Sequence, residues 1–209
     1  AFLKKGNVFT DDQIDAYIAL KAMSNAPYTT MSALAELIDN SLQAKAEYIG
    51  LIAQDGKVRT ETGRKINRLT TLAVYDDGEG MDKETIESAL AVGFSRNKED
   101  SKGIGKFGYG LTVGSLSQAK RVEVYSWRKK GEYLYTYIDM EELRTSGTQN
   151  LPDLTRVDEL PIIGGHKWDT HLTPGESGTL VVWGELTTNI RTSAGIIKRF
   201  SMFVFLITF

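Results

Sequence analysis

Three clusters in the 209-residue chain carry groups suited to phosphate chemistry. The first is Glu36, Asn40 and Gln43. On a helix these three fall within roughly 60° of one another, opposite a core stripe of Leu34, Leu37, Ile38 and Ser41. Such a stripe is most simply a solvated face. Asn is a mediocre helix former, however, and the stripe has no Lys or Arg. A carboxylate one turn from a carboxamide oxygen is also a way to hold a water beside hydrated Mg2+, an ion that prefers oxygen ligands. The second cluster is Asp76-Asp77-Gly78-Glu79-Gly80-Met81. It follows an apolar run directly and puts the Asp76 carboxylate at the mouth of a pocket with backbone close around it. An acidic turn or a calcium loop competes, but the alternating ligands and terminal Glu of an EF-hand are missing. The third is Lys102–Ser117, with Gly103, Gly105, Gly108 and Gly110 ahead of a helical stretch, Leu111–Ala119. Glycines let backbone N–H groups approach a ligand closely. A helix N-terminus adds unpaired donors and a positive dipole end. The combination suits a polyphosphate cradle, or else a plain turn. No Gly-Lys-Ser/Thr ends it and no convincing strand precedes it, so it is neither a Walker loop nor a dinucleotide fingerprint.

These clusters sit on readable elements. Thr10-Asp11-Asp12 opens a helix carrying Ile14, Tyr17 and Ile18, which Asn25-Ala26-Pro27 ends. Thr29/Thr30 opens the helix of Glu36 and Asn40, which runs to about Ala46. Tyr48–Ala53 and Leu69–Tyr75 read as strands, with Gln54–Arg68 a polar hairpin or insertion between them. Asp82 caps a short helix, Lys83–Ala91. Val92–Ser101 is polar and breaker-rich, a candidate lid. Val122–Trp127 and Glu132–Ile138 form a hairpin around Lys129-Lys130-Gly131, with Tyr133, Tyr135 and Tyr137 alternating as packing residues. Asp139–Leu172 reads as a short helix, loops and an edge strand. His166 and His171 lie there without the spacing of metal ligands. Gly178–Trp183 is a clear strand, and Ile196–Phe209 reads as a final apolar helix.

Composition bounds the rest. At 41% hydrophobic and 25% charged, 209 residues suit one globular domain. A net charge of −2 gives no reason to expect a strongly nucleic-acid-binding or membrane-hugging surface. Zero cysteines exclude disulfides and thiolate metal sites, and fit a reducing compartment such as the cytoplasm, or the nucleus of a eukaryote. The closing apolar run is too short to span a bilayer. The missing initial Met and the aromatic end lead us to expect a fragment, the N-terminal domain of something longer.

Taken together, the three motifs resemble those of the GHKL ATPase superfamily, which groups gyrase-type topoisomerases, ninety-kilodalton heat-shock chaperones, histidine kinases and MutL. Glu36–Asn40 (ELIDN) is similar to its Asn-containing helix, Asp76–Met81 (DDGEGM) to its first glycine box and Gly103–Gly110 (GIGKFGYG) to its second. Gly178-Thr179 resembles the Gly-Thr of a later strand. The wording Lys106-Phe107-Gly108-Tyr109-Gly110 is similar to the MORC-like and chaperone-like branches, and GFS at Gly93–Ser95 resembles MORC-type lids.

The resemblance implies an α/β two-layer sandwich, the Bergerat ATP-binding fold, with a mixed, mostly antiparallel sheet and helices on one face. It implies ATP and Mg2+ as ligands and slow hydrolysis by the isolated domain. Glu36 would be the general base and Asn40 the Mg2+ ligand. Asp76 would accept the adenine amino proton, with Gly78, Gly80 and Met81 lining the base pocket and Thr179 beside them. The amides of Gly103, Gly105, Lys106, Phe107, Gly108, Tyr109 and Gly110, with the helix beginning at Leu111, would wrap the phosphates. Ser95 and Lys98, in a lid over 92–108, would reach the γ-phosphate. Gln43 departs from the pattern, since many members carry Asp there. The resemblance further implies a nucleotide-gated homodimer, with residues 1–10 exchanged between subunits and a transducer domain following. Its client, DNA, chromatin or protein, is not legible. A histidine-kinase phosphotransferase and a non-hydrolysing nucleotide sensor are the rival functions.

Overall fold

The computed structural model describes residues 16–90, 109–146, 151–164, 175–187 and 190, and the backbone of 204–206. Among these, α1 (Ala16–Ser24), α2 (Thr30–Gln43), α3 (Lys83–Leu90), α4 (Tyr109–Gln118) and α5 (Met140–Ser146) pack on a seven-stranded sheet. Its strands are β1 (Tyr48–Arg59), β2 (Lys65–Asp76), β3 (Ala119–Trp127), β4 (Tyr133–Asp139), β5 (Thr155–Val157), β6 (Gly178–Leu186) and β7 (Val204–Leu206). The order is β5-β4-β3-β6-β2-β1-β7, and every pairing is antiparallel.

The period of two in each strand divides the sheet into two faces. Leu72 and Val74, Val122 and Val124, and Val181 and Trp183 meet residues of all five helices in one cluster, among them Leu20, Leu37, Ile86, Leu116 and Leu143. The alternate residues, Tyr75, Tyr125, Trp127, Leu180 and Val182, pack on the other face with Leu160 and Ile163. The result is the two-layer α/β sandwich with helices on one face. Among the described residues, no helix is long and apolar enough to cross a membrane.

Thr29 caps α2, accepting from Ser32 N–H at 3.1 Å. Asp82 caps α3 through Thr85 N–H at 2.9 Å. The polar stretch after Ala53 is hairpin rather than insertion: β1 and β2 stay paired out to Arg59 and Lys65, with a register shift at Gln54/Asp55.

One expectation is overturned. The final apolar segment holds strand β7, whose Val204 pairs with Gly50 on the edge of β1, where a helix is expected from composition. A short apolar run cannot by its periodicity separate a helix from an edge strand. The aromatic and β-branched content of Phe203–Ile207 and an open strand edge decide it.

Helices α2 and α4 run antiparallel at close range. Thr30 Oγ1 donates to Gln118 Oε1 at 2.8 Å at one end. One turn on, a Cβ built on Gly114 would lie 3.6 Å from Ala33 Cα. Ordinary van der Waals room therefore exists for a methyl and no more. We predict that Gly114→Ala is neutral or stabilises by up to about 1 kcal/mol, whereas Gly114→Leu costs about 1–3 kcal/mol. Urea unfolding of both variants checks this, and equal effects would contradict the packing.

Candidate functional site

The α2–α4 contact carries Glu36 to its place. A further turn along α2 from Ala33, and back along α4 from Gly114, the Glu36 carboxylate lies against Gly110, so close that any Cβ there would overlap it. Gly110 is the second residue of α4, so the carboxylate sits at that helix's N-terminal turn. Glu36 is half-buried rather than on an open solvent face.

Asn40, one turn along α2, is also half-buried, and its Nδ2 is buried without a hydrogen-bond partner. An orphaned buried amide costs free energy unless something outside the protein satisfies it. Gln43 is exposed. The stripe expected over Glu36, Asn40 and Gln43 is thus brought to the site only in its first two members.

Asp76 ends β2 on the helix-facing side, in step with Leu72 and Val74. It is 5% exposed. Its Oδ2 accepts from Ser41 Oγ at 2.8 Å and its Oδ1 from Gly78 N–H at 3.0 Å. Ser41 belongs to the core stripe by periodicity, and sequence reasoning missed its second role; a hydroxyl among apolar stripe residues was the available signal. The adjacent Asp77 has a structural task. Its Oδ1 accepts from the N–H groups of Glu47 and Tyr48 at 2.9 and 2.8 Å, fixing the start of β1.

The glycine box is pinned from both sides. Glu79 N–H donates to Ala44 O at the end of α2, at 2.8 Å. Gly78 has no room for a side chain against Ala44. Gly80 takes φ +67°, and a Cβ built there would overlap the Trp127 carbonyl oxygen, a position that only glycine fills without strain. Met81 N–H donates to Ser126 Oγ at 2.7 Å. Thr179, paired in register with both Asp76 and Ser126, lies on the same face with its Oγ1 3.0 Å from Ser126 Oγ. Ser126 is a second residue that the motifs do not show, because only strand register brings it here.

The structure thus gathers Glu36, Asn40, Asp76, Gly78, Gly80, Met81, Gly110 and Thr179 around α2, the ends of β2 and β6, and the start of α4, while Leu111 packs its side chain in the core between helices and sheet. Tyr109 begins α4, described here by its backbone alone. Ser95, Lys98, Gly103, Gly105, Lys106, Phe107 and Gly108 lie outside the described residues, as do His166, His171, the segment 1–10 and all of the lid before Tyr109.

Residues 28–164 match the family of histidine kinase-, DNA gyrase B- and HSP90-like ATPases, and the chain belongs to that family. ATP binding and hydrolysis are the general activity of its class. Among curated relatives, Protein MICRORCHIDIA 6 of Arabidopsis thaliana is 30% identical over 114 residues, covering 51% of this chain and 16% of that protein. Protein MICRORCHIDIA 5 of the same plant is 28% identical over 112 residues, covering 54% and 15%. The match thus spans a small part of each relative's length. A solved structure of the N-terminal domain of a DNA repair protein aligns over 88% of this chain and 43% of that one, at 17% identity and a TM-score of 0.48.

Burial pushes the Asp76 carboxyl up from 3.8 to about 6, against the downward pull of the Ser41 and Gly78 hydrogen bonds and with a smaller upward push from Asp77. The folded state therefore holds this proton more tightly than the unfolded one. The associated stability is fully present below about pH 3.8 and is lost as pH rises through about 6. The difference is on the order of 3 kcal/mol. We predict that the stability of wild type relative to Asp76→Asn falls by that order between pH 4 and 7, as read from urea midpoints in the absence of nucleotide. A rise over the same range would contradict the burial argument.

Proposed function

We propose that this domain binds ATP between α2 and the glycine boxes and hydrolyses it slowly with Mg2+, as the nucleotide-gated switch of a larger protein. The observation that carries the reading is the seating of the Glu36 carboxylate at the N-terminal turn of α4, one helical turn from an Asn40 amide with an unspent donor.

The donor set suits the ligand. Asn40 offers a neutral carbonyl oxygen to a hard cation and an N–H to a phosphate oxygen or water. Among the described residues, no group of three or more His, Asp or Glu side chains forms a metal cage. A cation at Asn40 therefore draws on few protein ligands, which suits Mg2+ accompanying a polyphosphate. Magnesium bound with the nucleotide supplies neutralisation of phosphate charge.

The protein's own residues do the rest. Glu36 orients a water and takes its proton, and the start of α4 stabilises negative charge beside it. Asp76 and Thr179 bind a base edge through hydrogen-bond acceptors. The backbone of Gly103–Gly110 wraps the phosphates, and Ser95 and Lys98 complete the lid over 92–108. Closing such a lid positions reactants and excludes water, which phosphoryl transfer to water requires more than covalent chemistry. On this reading nucleotide binding orders the lid and favours a homodimer through residues 1–10, and hydrolysis resets it.

Glu36→Ala is expected to keep ATP affinity within about threefold while reducing phosphate release to background, since a general base contributes about 10²–10⁴-fold. Asn40→Ala is expected to lose Mg2+-dependent ATP binding. Calorimetry and a phosphate-release assay check both. Equal loss of binding and turnover in Glu36→Ala would make that residue structural, and ATP binding without any release by wild type would favour the nucleotide sensor.

A further inference from the structure

Ser126 sits on β3, facing the helices and fully buried. Its Oγ accepts from Met81 N–H at 2.7 Å and lies 3.0 Å from both Gly178 O and Thr179 Oγ1. A serine hydroxyl has a single proton to give. A carbonyl can only accept, whereas the Thr179 hydroxyl can donate or accept. Were Ser126 to donate to Thr179, its oxygen and the Gly178 carbonyl would face each other at 3.0 Å with no proton between them. If Ser126 donates to Gly178 O and Thr179 donates to Ser126, every contact is a hydrogen bond. The second arrangement prevails, and it consumes the only proton of Thr179.

What Thr179 retains for a ligand is lone pairs. Its cross-strand neighbour Asp76 likewise accepts, from Ser41 and Gly78. We propose that Ser126 is a positioning residue that sets base specificity. By drawing in the Thr179 proton it makes the Asp76–Thr179 end of the pocket accept-only, so that end takes a base edge bearing an amino group, as adenine does, and rejects a carbonyl, as in guanine. The inference rests on the nucleotide-binding reading above and places Ser126 behind Thr179 rather than against the base. Without the serine hydroxyl, Thr179 is free to turn its proton outward and receive a carbonyl.

The test is calorimetric titration of the 209-residue chain with ATP and with GTP, for wild type, Ser126→Ala and Ser126→Thr. Wild type is expected to prefer ATP. Ser126→Ala narrows the ATP-to-GTP affinity ratio by about tenfold, the value of one hydrogen-bond mismatch in a buried site. Ser126→Thr, which keeps the hydroxyl, restores the ratio. If Ser126→Ala weakens both nucleotides equally, the residue is merely structural and the proposal is overturned. Should that variant not fold, Thr179→Val carries the same test, and an unchanged ratio there overturns it equally. Wild type binding both nucleotides alike defeats this inference while leaving nucleotide binding intact. Wild type binding neither defeats the nucleotide reading itself.

Discussion

The hydrogen bond between Ser41 of α2 and Asp76 of β2 joins the two layers at the candidate site. Glu36 and Asn40 belong to the helix, and Asp76 and Thr179 to the sheet. Neither set forms a site without the other. The bond at 2.8 Å is buried and is flanked by the Glu79 N–H to Ala44 O contact at the same helix end. Because the Asp76 carboxyl is desolvated, its partners are worth more here than at a surface, and their loss costs more. The same burial that raises its proton affinity makes its acceptors strong for a donor on a ligand.

Around that joint the architecture imposes positions by register. The α2–α4 contact steps through Thr30/Gln118, Ala33/Gly114 and Glu36/Gly110, each one turn apart on both helices. Small residues at the middle and last steps allow the approach, so the catalytic candidate is delivered by packing rather than by a loop. In the sheet, Asp76, Thr179 and Ser126 occupy three neighbouring strands at one end and on one face. Their side chains converge because each continues an apolar alternation that buries the rest of its strand. Stability and site geometry therefore draw on the same pattern.

Functional assignment follows from the site more than from likeness. Membership of the histidine kinase-, gyrase- and HSP90-like family establishes the class. The plant relatives share only a small part of their length with this chain.

By itself, the sequence determined the helix of Glu36 and Asn40, the first glycine box, the Asp76 carboxylate at a strand end, and most strands and their order along the chain. Those features are local: a capping Thr, a period, a glycine spacing. Tertiary structure alone decided that Glu36 is seated on Gly110 while Gln43 faces solvent, because a helical wheel does not say which flank a neighbouring helix covers. It also decided that Asp76 and not Asp77 is buried, that Ser41 and Ser126 contact Asp76 and Thr179, and that Val204–Leu206 pair as a strand. These outcomes depend on partners far apart in the chain, 35 residues for Ser41–Asp76 and 53 for Ser126–Thr179, and on an edge of β1 left open for β7. Sequence periodicity carries the preference of a segment, and only packing chooses between its surroundings.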